Sequence, residues 1–517
     1  MVAPNRSRTQ PGPNVVGVAK PKPGGHNVLT NEKRNKELRE QIRRQSGLFD
    51  GPKRYFARED TRPSIIRKFI VTSNEDPTLT ASLAEGMVRF EYHEGIFQDS
   101  IRATCIFTDS GNTTNNKLPD SNCKNTGTAV DMLPIIGSEK VEISVESPSK
   151  EKIDLEMYVN KVVTIEKTTT NTTYSLDLAS IEFLKNQVVK VTQKYTGGIS
   201  QSVRKILKEN LKSDKKLFIE ETQNSYVFFG NSKHPFYTIN NASVKAIPNV
   251  DGINSSSVLA KTAGYFFFET SKGFYFRSID KMFEGRFLES LRGSKLSIIY
   301  NASTDATSDD IPKGYDVKAL EFFQSNSIDV NDVCKTGGKS NEVMTFNPYN
   351  CEFESKISTV EAFSDGYQLA GENLPKYNPE VFEESFGKVS FFIKDTGTTS
   401  DSTDVDQQLD KKTEENFDVD KVWAQLTTRY NMMVSAVSTV TLPGIFKLNA
   451  GDIVFLDSPE LKADPKTDAV DKQSGGRYII LDLAHLITPQ GTFTKLNLGR
   501  DSFGRKGKPQ DLSFTTL

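Results

Sequence analysis

Most of the chain from Pro63 onward alternates apolar and polar residues with a period of two, in short runs rich in β-branched and aromatic residues. Clusters of Asn, Gly, Ser and Pro separate the runs, a pattern typical of half-buried strands joined by turns. Examples are SIIRKFIVTS, RATCIFTDS, KVEISVES and MYVNKVVTIEK. The pattern predicts a mainly β protein of the α+β class, in which sheets carry the core.

Helical periodicity is sparse in this region. The segment SQSVRKILKENL, from Ser200 to Leu211, places apolar residues on one stripe after the Gly197-Gly198 break. A second short helix is predicted near Ser255 to Ala263. The apolar faces of both helices are expected to cover sheet cores.

The first 62 residues differ from the rest, since they carry 14 Lys and Arg against 6 Asp and Glu, a net charge of +8. The Pro- and Gly-rich start favours extended, solvated backbone. One helix is predicted over about Asn31 to Gln45, with only Leu38 and Ile42 as an apolar pair. Two interpretations stay open: a solvated helix in a flexible tail, or a basic arm that docks on an acidic neighbour.

Two segments about 310 residues apart show the same order of strand and turn signals. In the first, Leu133-Pro134 leads to EKVEISVESP, MYVNKVVTIEK and TTYSLDLAS. In the second, Leu442-Pro443 leads to GDIVFLDSPE, RYIILDLAHLI and TFTKLNLGRDS. One β-unit is therefore predicted to occur twice, the alternative being two unrelated sheets that share common turn chemistry.

An aromatic hairpin, Tyr265 to Phe276, lies between the two copies and holds seven aromatics in twelve positions around an SKG turn. Alternation places some of these rings in a core and the others on the opposite face. The outward set is predicted either to pack within the chain or to form a subunit interface. Further on, Asp395 to Asp420 holds nine acidic residues and two lysines, which predicts a mobile acidic loop or linker.

Length and hydropathy limit the class of protein. A chain of 517 residues predicts roughly three or four domains. A mean hydropathy of −0.47, without an apolar run of the ~18 residues that cross a bilayer, argues against an integral membrane protein. The N-terminus carries positive charge but no apolar stretch of the kind found in secretory signals, so synthesis and assembly are expected in the cytoplasm.

Metal and thiol chemistry are weakly indicated. The four cysteines form two distant pairs, Cys105 with Cys123 and Cys334 with Cys351, and neither pair has the spacing of a zinc site. The four histidines, His26, His93, His234 and His485, are scattered without ligand spacing. We predict no metal, no cofactor and no cofactor-binding residues.

Catalytic motifs are also missing from the sequence. Gly337-Gly338-Lys339-Ser340 imitates the end of a phosphate-binding loop, but Val333 stands where the first glycine is required. A carboxylate pair such as Glu91 with Asp99 is an arbitrary choice among many acids. We predict no catalytic residues, which leaves a binding or scaffold role.

Several loosely ordered motifs occur between Ser180 and Asp280: SIEFLKNQVVKVTQKYTGGISQSVRKIL, HPFYTINNASVKAIP and SSSVLAKTAGYFFFETSKGFYFRSID. Together with GDIVFLDSPE, SGGRYIILDLAHLI and TFTKLNLGRDSFG near the C-terminus, they resemble the central baseplate hub protein of contractile-tailed, myovirus-type bacteriophages. The resemblance covers roughly residues 63 to 300 and 425 to 517. The basic arm and the acidic loop are outside the family pattern.

The resemblance implies a structural virion protein without enzymatic activity. It implies a homotrimer in which each chain supplies two tube-like β-domains, so that three chains form a pseudo-sixfold ring. The implied partners are tail-tube initiator proteins above, a trimeric spike protein beneath, baseplate wedge proteins around it and the tape-measure protein in the lumen. DNA would pass through this channel without specific binding, and the protein would be located in the tail baseplate of the virion.

The predicted organisation has five parts: a basic extended arm (1–62), a first tube-like antiparallel β-barrel or sandwich domain (63–211), an inserted α/β region with the aromatic hairpin (212–300), an insertion with the acidic loop (301–425) and a second tube-like β-domain (426–517). A tube-terminating adaptor, or the hub of another contractile injection system, stays open as a neighbouring role, and so do two functions of other classes. One is a tail-tip peptidoglycan or polysaccharide hydrolase, and the other is a carbohydrate-binding module with Phe274 to Phe276 as its platform.

Overall fold

The chain divides into two units, residues 1–55 and residues 56–517. A computed structural model describes residues 61–109, 133, 135–148, 150–249, 263–284, 296–300, 316–325, 330–348, 350–360, 369–378, 380, 387–395, 416–458, 471 and 474–505, all within the second unit. The predicted helices near Asn31 to Gln45 and Ser255 to Ala263, and most of the acidic stretch, lie outside the described residues.

Strands dominate the described part of the chain, so the mainly β prediction is confirmed. The predicted helix from Ser200 is also confirmed, as a helix that continues into one π-helical turn, Ile206–Asn210. The helices are α1 Ile181–Val188, α2 Ile199–Lys205, α3 Pro235–Ser243, α4 Ile279–Glu284, α5 Val330–Thr336 and α6 Val419–Met432. The strands are β1 Ile65–Thr72, β2 Thr80–Ser82, β3 Met87–Gly95, β4 Arg102–Asp109, β5 Lys140–Glu146, β6 Lys152–Lys167, β7 Thr172–Ala179, β8 Lys194–Tyr195, β9 Leu217–Ile219, β10 Phe228–Phe229, β11 Tyr265–Thr270, β12 Gly273–Ser278, β13 Leu296–Ile299, β14 Val317–Lys318, β15 Glu321–Ser325, β16 Ser340–Asn347, β17 Glu352–Thr359, β18 Lys388–Ile393, β19 Ala436–Pro443, β20 Ile453–Asp457, β21 Gly476–Thr488 and β22 Gly491–Arg500.

Fourteen of these strands form one continuous sheet that consists of two sets of seven. The first set, module 1, has the spatial order β2-β1-β5-β6-β7-β4-β3. The second set, module 2, has the order β14-β13-β20-β21-β22-β19-β15. Corresponding strands also follow one another in the same order along the chain, so the two modules share one topology.

One difference separates the modules. Strand β1 runs antiparallel to β5, whereas its counterpart β13 runs parallel to β20. The same reversal affects the outermost pair, because β2 is antiparallel to β1 and β14 is parallel to β13. The equivalence is therefore strictest for five strands of each module. They are β5, β6, β7, β4 and β3 in module 1 and β20, β21, β22, β19 and β15 in module 2.

Alternation sets the core of module 1. Strands β5 and β7 bury every second side chain, as expected for a sheet with one face on the core and one on solvent. The buried side chains form one cluster that includes Phe69, Phe90, Phe107, Ile143 and Leu176.

Module 2 is covered on both faces. All five residues of β20 are buried, and β21 is buried from Tyr478 to Ile487. Val440, Ile480 and Leu498 pack in the cluster on one face, whereas Ile479 and Leu481 pack on the other with residues from the hairpin β11–β12. Such strands read as continuous apolar runs rather than alternating ones.

Two insertions interrupt the modules. The first, between β7 and β13, contains α1 to α4 and the hairpin β11–β12, which pairs with β9. The second, between β15 and β19, contains the sheet β17-β16-β18 with α5 and α6. The insertions share one cluster, in which Phe267 and Val203 of the first pack with Val343 and Leu426 of the second.

The aromatic hairpin is buried on both faces. Tyr265, Phe267, Phe274 and Phe276 lie in the cluster shared by the insertions, while Phe266, Phe268 and Tyr275 lie in the cluster that covers module 2. The packing of the outward set within the chain is thus the correct alternative, and the subunit-interface alternative is wrong. The carbohydrate platform at Phe274 to Phe276 is also wrong, because all three rings are at most 3% exposed.

Candidate assembly interface

The equivalence of the modules extends to individual residues. Module 1 has an extra register shift at Ile165 in the ladder between β6 and β7. The two matching bulges lie at Asn160 in that ladder and at Leu481 in the ladder between β21 and β22. Next to each bulge lies a Leu-polar-Leu run, which is LDL at 176–178 and LNL at 496–498. Since bulges are specific features of a sheet, a bulge at the same place supports one β-unit used twice.

The turn that leads into each module's central meander is also repeated. Ser138 N donates to Val159 O at 2.6 Å, and Gly451 N donates to Ile480 O at 2.8 Å. Ser138 and Gly451 both have a positive φ, of 65° and 86°. The repeated β-unit predicted from the sequence is therefore present in the backbone, from this turn to the closing strand.

A buried carboxylate follows this turn in each module. Glu139 Oε1 accepts from Ile136 N at 2.8 Å, and Asp452 Oδ2 accepts from Asn449 N at 2.9 Å. Each carboxylate thus caps the backbone of the turn before its strand. Burial raises the pKa of Asp452 to about 7.

The two modules meet edge to edge. Strand β3 of module 1 pairs antiparallel with the second half of β21, with Phe90 opposite Ile487 and Gly95 opposite Asp482. A Cβ atom on Gly95 would lie 2.1 Å from Asp482 Oδ1, so a larger residue here would force the Asp482 side chain to move. We call this ladder the internal junction.

Aromatic packing supports the internal junction. Tyr92 stacks on the directly opposite His485, with ring centroids 6.1 Å apart, and Phe446 contacts the same imidazole edge-on at 5.0 Å. Burial lowers the pKa of His485 to about 3, so the ring is neutral. His485 Nδ1 lies 3.0 Å from Thr494 Oγ1, which provides its polar partner.

Glu94 connects the internal junction to the aromatic hairpin. Its carboxylate accepts from Tyr92 Oη at 2.7 Å, from Ser271 N in the β11–β12 turn at 2.7 Å, and from Ala450 N before β20 at 3.0 Å. Asn449 Nδ2 donates to both carboxylate oxygens at 3.1 and 3.2 Å. Burial raises the pKa of Glu94, but all four donor groups favour the ionised form.

A second buried acid fixes the base of the hairpin. Glu269 Oε2 accepts from Ile101 N at 3.2 Å and pairs through its other oxygen with Lys215. Lys215 also pairs with Glu182 at 2.7 Å. Burial raises the pKa of Glu269 to about 7. The hairpin is thereby held to module 1 by Glu94 and Glu269.

Sequence reasoning missed Glu94. It occupies the buried phase of β3, in step with Phe90 and Tyr92, where alternation calls for an apolar residue. A carboxylate in that phase is a signal of a buried polar network, because an unpaired buried charge is costly.

The strands that correspond to the two strands of the internal junction, β6 for β21 and β15 for β3, each have an open edge among the described strands. Strand β6 pairs with β5 up to Tyr158 and with β7 beyond it, so among the described strands its segment 160–167 has a partner on one edge only. Strand β15 pairs with β19, and no other described strand lies against it. Large apolar side chains are exposed at both places: Val163 by 38%, Ile165 by 55% and Phe323 by 51%.

Glu91 and Asp99, the carboxylate pair considered in the sequence, each bind other side chains. Glu91 pairs with Arg89 and lies 3.6 Å from His93 Nε2, while Asp99 accepts from Asn240 Nδ2 at 2.7 Å. Each acid therefore has a structural role in holding neighbouring side chains.

The Gly337-Gly338-Lys339-Ser340 segment ends a helix rather than beginning one. Gly337 has a φ of 73°, and Gly338 N donates to Val333 O at 3.0 Å, which closes the last turn of α5. A phosphate-binding loop precedes its helix, so the geometry is that of a helix C-cap.

Among the described residues, three cysteines are free thiols and no metal-binding cluster is found. Cys105, Cys334 and Cys351 are free thiols, and Cys123 is outside the described residues. No group of three or more His, Cys, Asp or Glu residues within the described ranges could hold a metal ion. In the same part of the chain, no helix is both long and apolar enough to cross a membrane.

Structural comparison finds phage tail proteins. The chain is similar to the 43 kDa tail protein of prophage MuSo2 from Shewanella oneidensis, with a TM-score of 0.45 and 9% identity over 84% of this chain and 99% of that chain. It is similar to the tail protein from Neisseria meningitidis MC58, with a TM-score of 0.44 and 8% identity over 84% and 96% of the two chains. A type VI secretion system component of E. coli, described as similar to T4 bacteriophage tail proteins, has a TM-score of 0.37 and 9% identity over 86% and 79%. No family model and no curated protein matches the sequence.

Proposed function

We propose that the chain is the central hub of a contractile-tail baseplate, a structural protein of the virion that works as a homotrimer. The observation that carries the proposal is the duplication: two modules of the same topology, joined edge to edge in one sheet within a single chain. The sequence resemblance to hub proteins of contractile-tailed phages points to the same assembly.

The duplication fits a symmetry mismatch. Three chains with two modules each present six equivalent β-units, which suits the sixfold tail tube above. The two insertions belong to the chain and not to the module, so they repeat three times and suit a threefold spike below. A trimer of this chain would therefore adapt one symmetry to the other.

The remaining partners follow from this position. Tail-tube initiator proteins would sit on the ring, a trimeric spike protein beneath it, wedge proteins around it and the tape-measure protein in its lumen. Residues 63–517 carry a net charge of −10, which would let DNA pass the channel without adhering. The basic arm 1–62 would reach acidic neighbours in the baseplate by charge attraction. The work of such a hub is mechanical, and no enzymatic step is assigned to it.

A reconstruction of the tail particle by electron cryo-microscopy tests the proposal. We expect density for three copies of the chain around the tail axis, between tube and spike. A baseplate reconstruction without this chain would refute the hub. A purified chain that degrades peptidoglycan or polysaccharide as a monomer would refute the hub and support the hydrolase.

A further inference from the structure

The internal junction has an unfilled counterpart. The first half of β21 pairs with β20, and its second half pairs with β3 of module 1. The first half of β6 pairs with β5 in the same way, but its second half has no strand in the position of β3 among those the structure describes. One of two equivalent edges is thus filled within the chain.

The strand that would fill the second edge is present elsewhere in the chain. Strand β15 occupies in module 2 the place that β3 occupies in module 1, next to β19 as β3 is next to β4. Strand β3 is paired on both edges, whereas β15 has a described partner only in β19. Module 2 therefore has in β15 an open edge of the kind that pairs with β21 in the internal junction, and β6 of module 1 is the counterpart of β21.

We propose that the segment 160–167 of β6 in one copy pairs antiparallel with β15 of the next copy and so repeats the internal junction between chains. This inference rests on the trimeric hub and names its subunit contact. Three internal junctions and three of the proposed kind would alternate around the axis and close a ring of six modules. Exposed strand edges of this length are otherwise a risk of uncontrolled pairing, and closure removes it.

The bulges give the register on β6. Aligning the Leu-polar-Leu runs makes Tyr174 correspond to Thr494, since both lie two residues before the first leucine. Tyr174 pairs with Thr164, and Thr494 pairs with His485. Thr164 therefore corresponds to His485 of the internal junction.

The register on β15 follows from the same alignment. Gln324 pairs with Ser438, and Tyr92 pairs with Ala103. Ser438 and Ala103 lie opposite the second leucines of the two runs, so Gln324 corresponds to Tyr92.

Transfer of the internal junction then fixes the contact between copies. His485 lies opposite Tyr92, which places Thr164 opposite Gln324. One step along, Ala484 lies opposite His93, which places Val163 opposite Ser325.

The exposed side chains fit this register. Val163 and Phe323 would share one face of the new ladder as diagonal neighbours, with Ile165 at the adjacent bulge. These side chains are 38%, 51% and 55% exposed in the single chain, and the pairing would cover them together. Lys167 and Glu321 would lie at the same end of the ladder, so that their opposite charges attract across the contact.

Cysteine cross-linking tests the register in the full-length chain. The double variant Thr164→Cys/Gln324→Cys should form covalent dimers and trimers on non-reducing gels after mild oxidation, because directly opposite residues are within disulfide reach. Val163→Cys/Ser325→Cys is a second matched pair, in case one variant fails to fold. The control, Lys161→Cys/Gln324→Cys, is three residues out of register and should stay predominantly monomeric on the same gels.

Native mass spectrometry of the same samples separates the two proposals. Non-covalent trimers in which neither matched pair cross-links, or in which the control cross-links equally, would overturn the proposed contact and leave the trimeric hub intact. Non-covalent trimers with cross-links only in the matched pairs support the contact. A chain that stays monomeric even with the spike protein would overturn both the contact and the trimer.

Discussion

Replacement of Glu94 by Gln tests whether the internal junction depends on its buried carboxylate. Glu94 is 1% exposed and accepts from four donor groups: two backbone N–H groups, one amide and one hydroxyl. Glutamine keeps the size of the side chain but turns one acceptor into a donor. Either Ser271 N or Ala450 N would then face an NH₂ group.

The cost can be worked from these contacts. A buried donor left unpaired costs about 1 to 3 kcal/mol, and a hydrogen bond to a charged acceptor contributes about 1.5 to 3 kcal/mol. Because the turn can relax and the remaining oxygen still accepts, we expect Glu94→Gln to lower the free energy of unfolding by about 2 to 4 kcal/mol. The matched control is Glu91→Gln on the same strand. Its acid is partly exposed and pairs with His93 and Arg89, which lower its pKa to about 2, so we expect a loss of about 1 to 2 kcal/mol, smaller than that of Glu94→Gln.

Urea unfolding gives the measurement. Far-UV circular dichroism follows the sheet, and the fluorescence of Trp423, the single tryptophan, follows α6. A Glu94→Gln variant that unfolds at the same urea concentration as Glu91→Gln would refute the role assigned to this carboxylate.

Three further predictions use other features of the modules and the arm. Burial raises the folded-state pKa of Asp452 to about 7 from 3.8, so its stabilising contribution is complete below about pH 4 and is lost as the pH rises through 7. The unfolding free energy of wild type relative to Asp452→Asn should therefore fall by roughly 2 to 4 kcal/mol from pH 4 to pH 7, whereas parallel pH profiles would contradict the assignment. Gly451→Ala should cost about 1 to 3 kcal/mol, because φ is 86° and the new Cβ would lie 2.9 Å from Phe268 Cζ. The equivalent Ser138→Gly should be neutral or stabilising in thermal unfolding, and a loss of similar size in both would argue against equivalent turns. Deletion of residues 1–62, with a net charge of +8, should leave the trimer intact and weaken attachment to other baseplate parts. Attachment of the full-length chain should fall with added salt and that of the truncated chain should not, as pull-down at low and high salt can show.

The sequence predicts the meanders of both modules because their long strands carry clear alternation and similar turns. It does not reveal β13, β14 and β15 as partners of module 2. These strands are two to five residues long, and β15 is separated from β19 by the whole second insertion. Short strands far apart in the chain leave no periodic signal, and their pairing is decided by tertiary contacts.

The aromatic hairpin shows the limit of alternation more sharply. Its pattern predicts two apolar faces but not what covers them. Coverage depends on side chains from distant segments, such as Ile96 before β4 and Met433 after α6. The internal junction is hidden in the same way, although Glu94 in the apolar phase of β3 gave a local sign of it.

The decisive measurement is the architecture of the purified full-length chain in solution, alone and with the spike protein. Electron cryo-microscopy with mass measurement should show a particle with the mass of three 57.7 kDa chains and a threefold ring of six similar β-modules, in which β6 and β15 of neighbouring copies pair. A trimer whose modules do not form a continuous ring, or a chain that remains a monomer under both conditions, would contradict it.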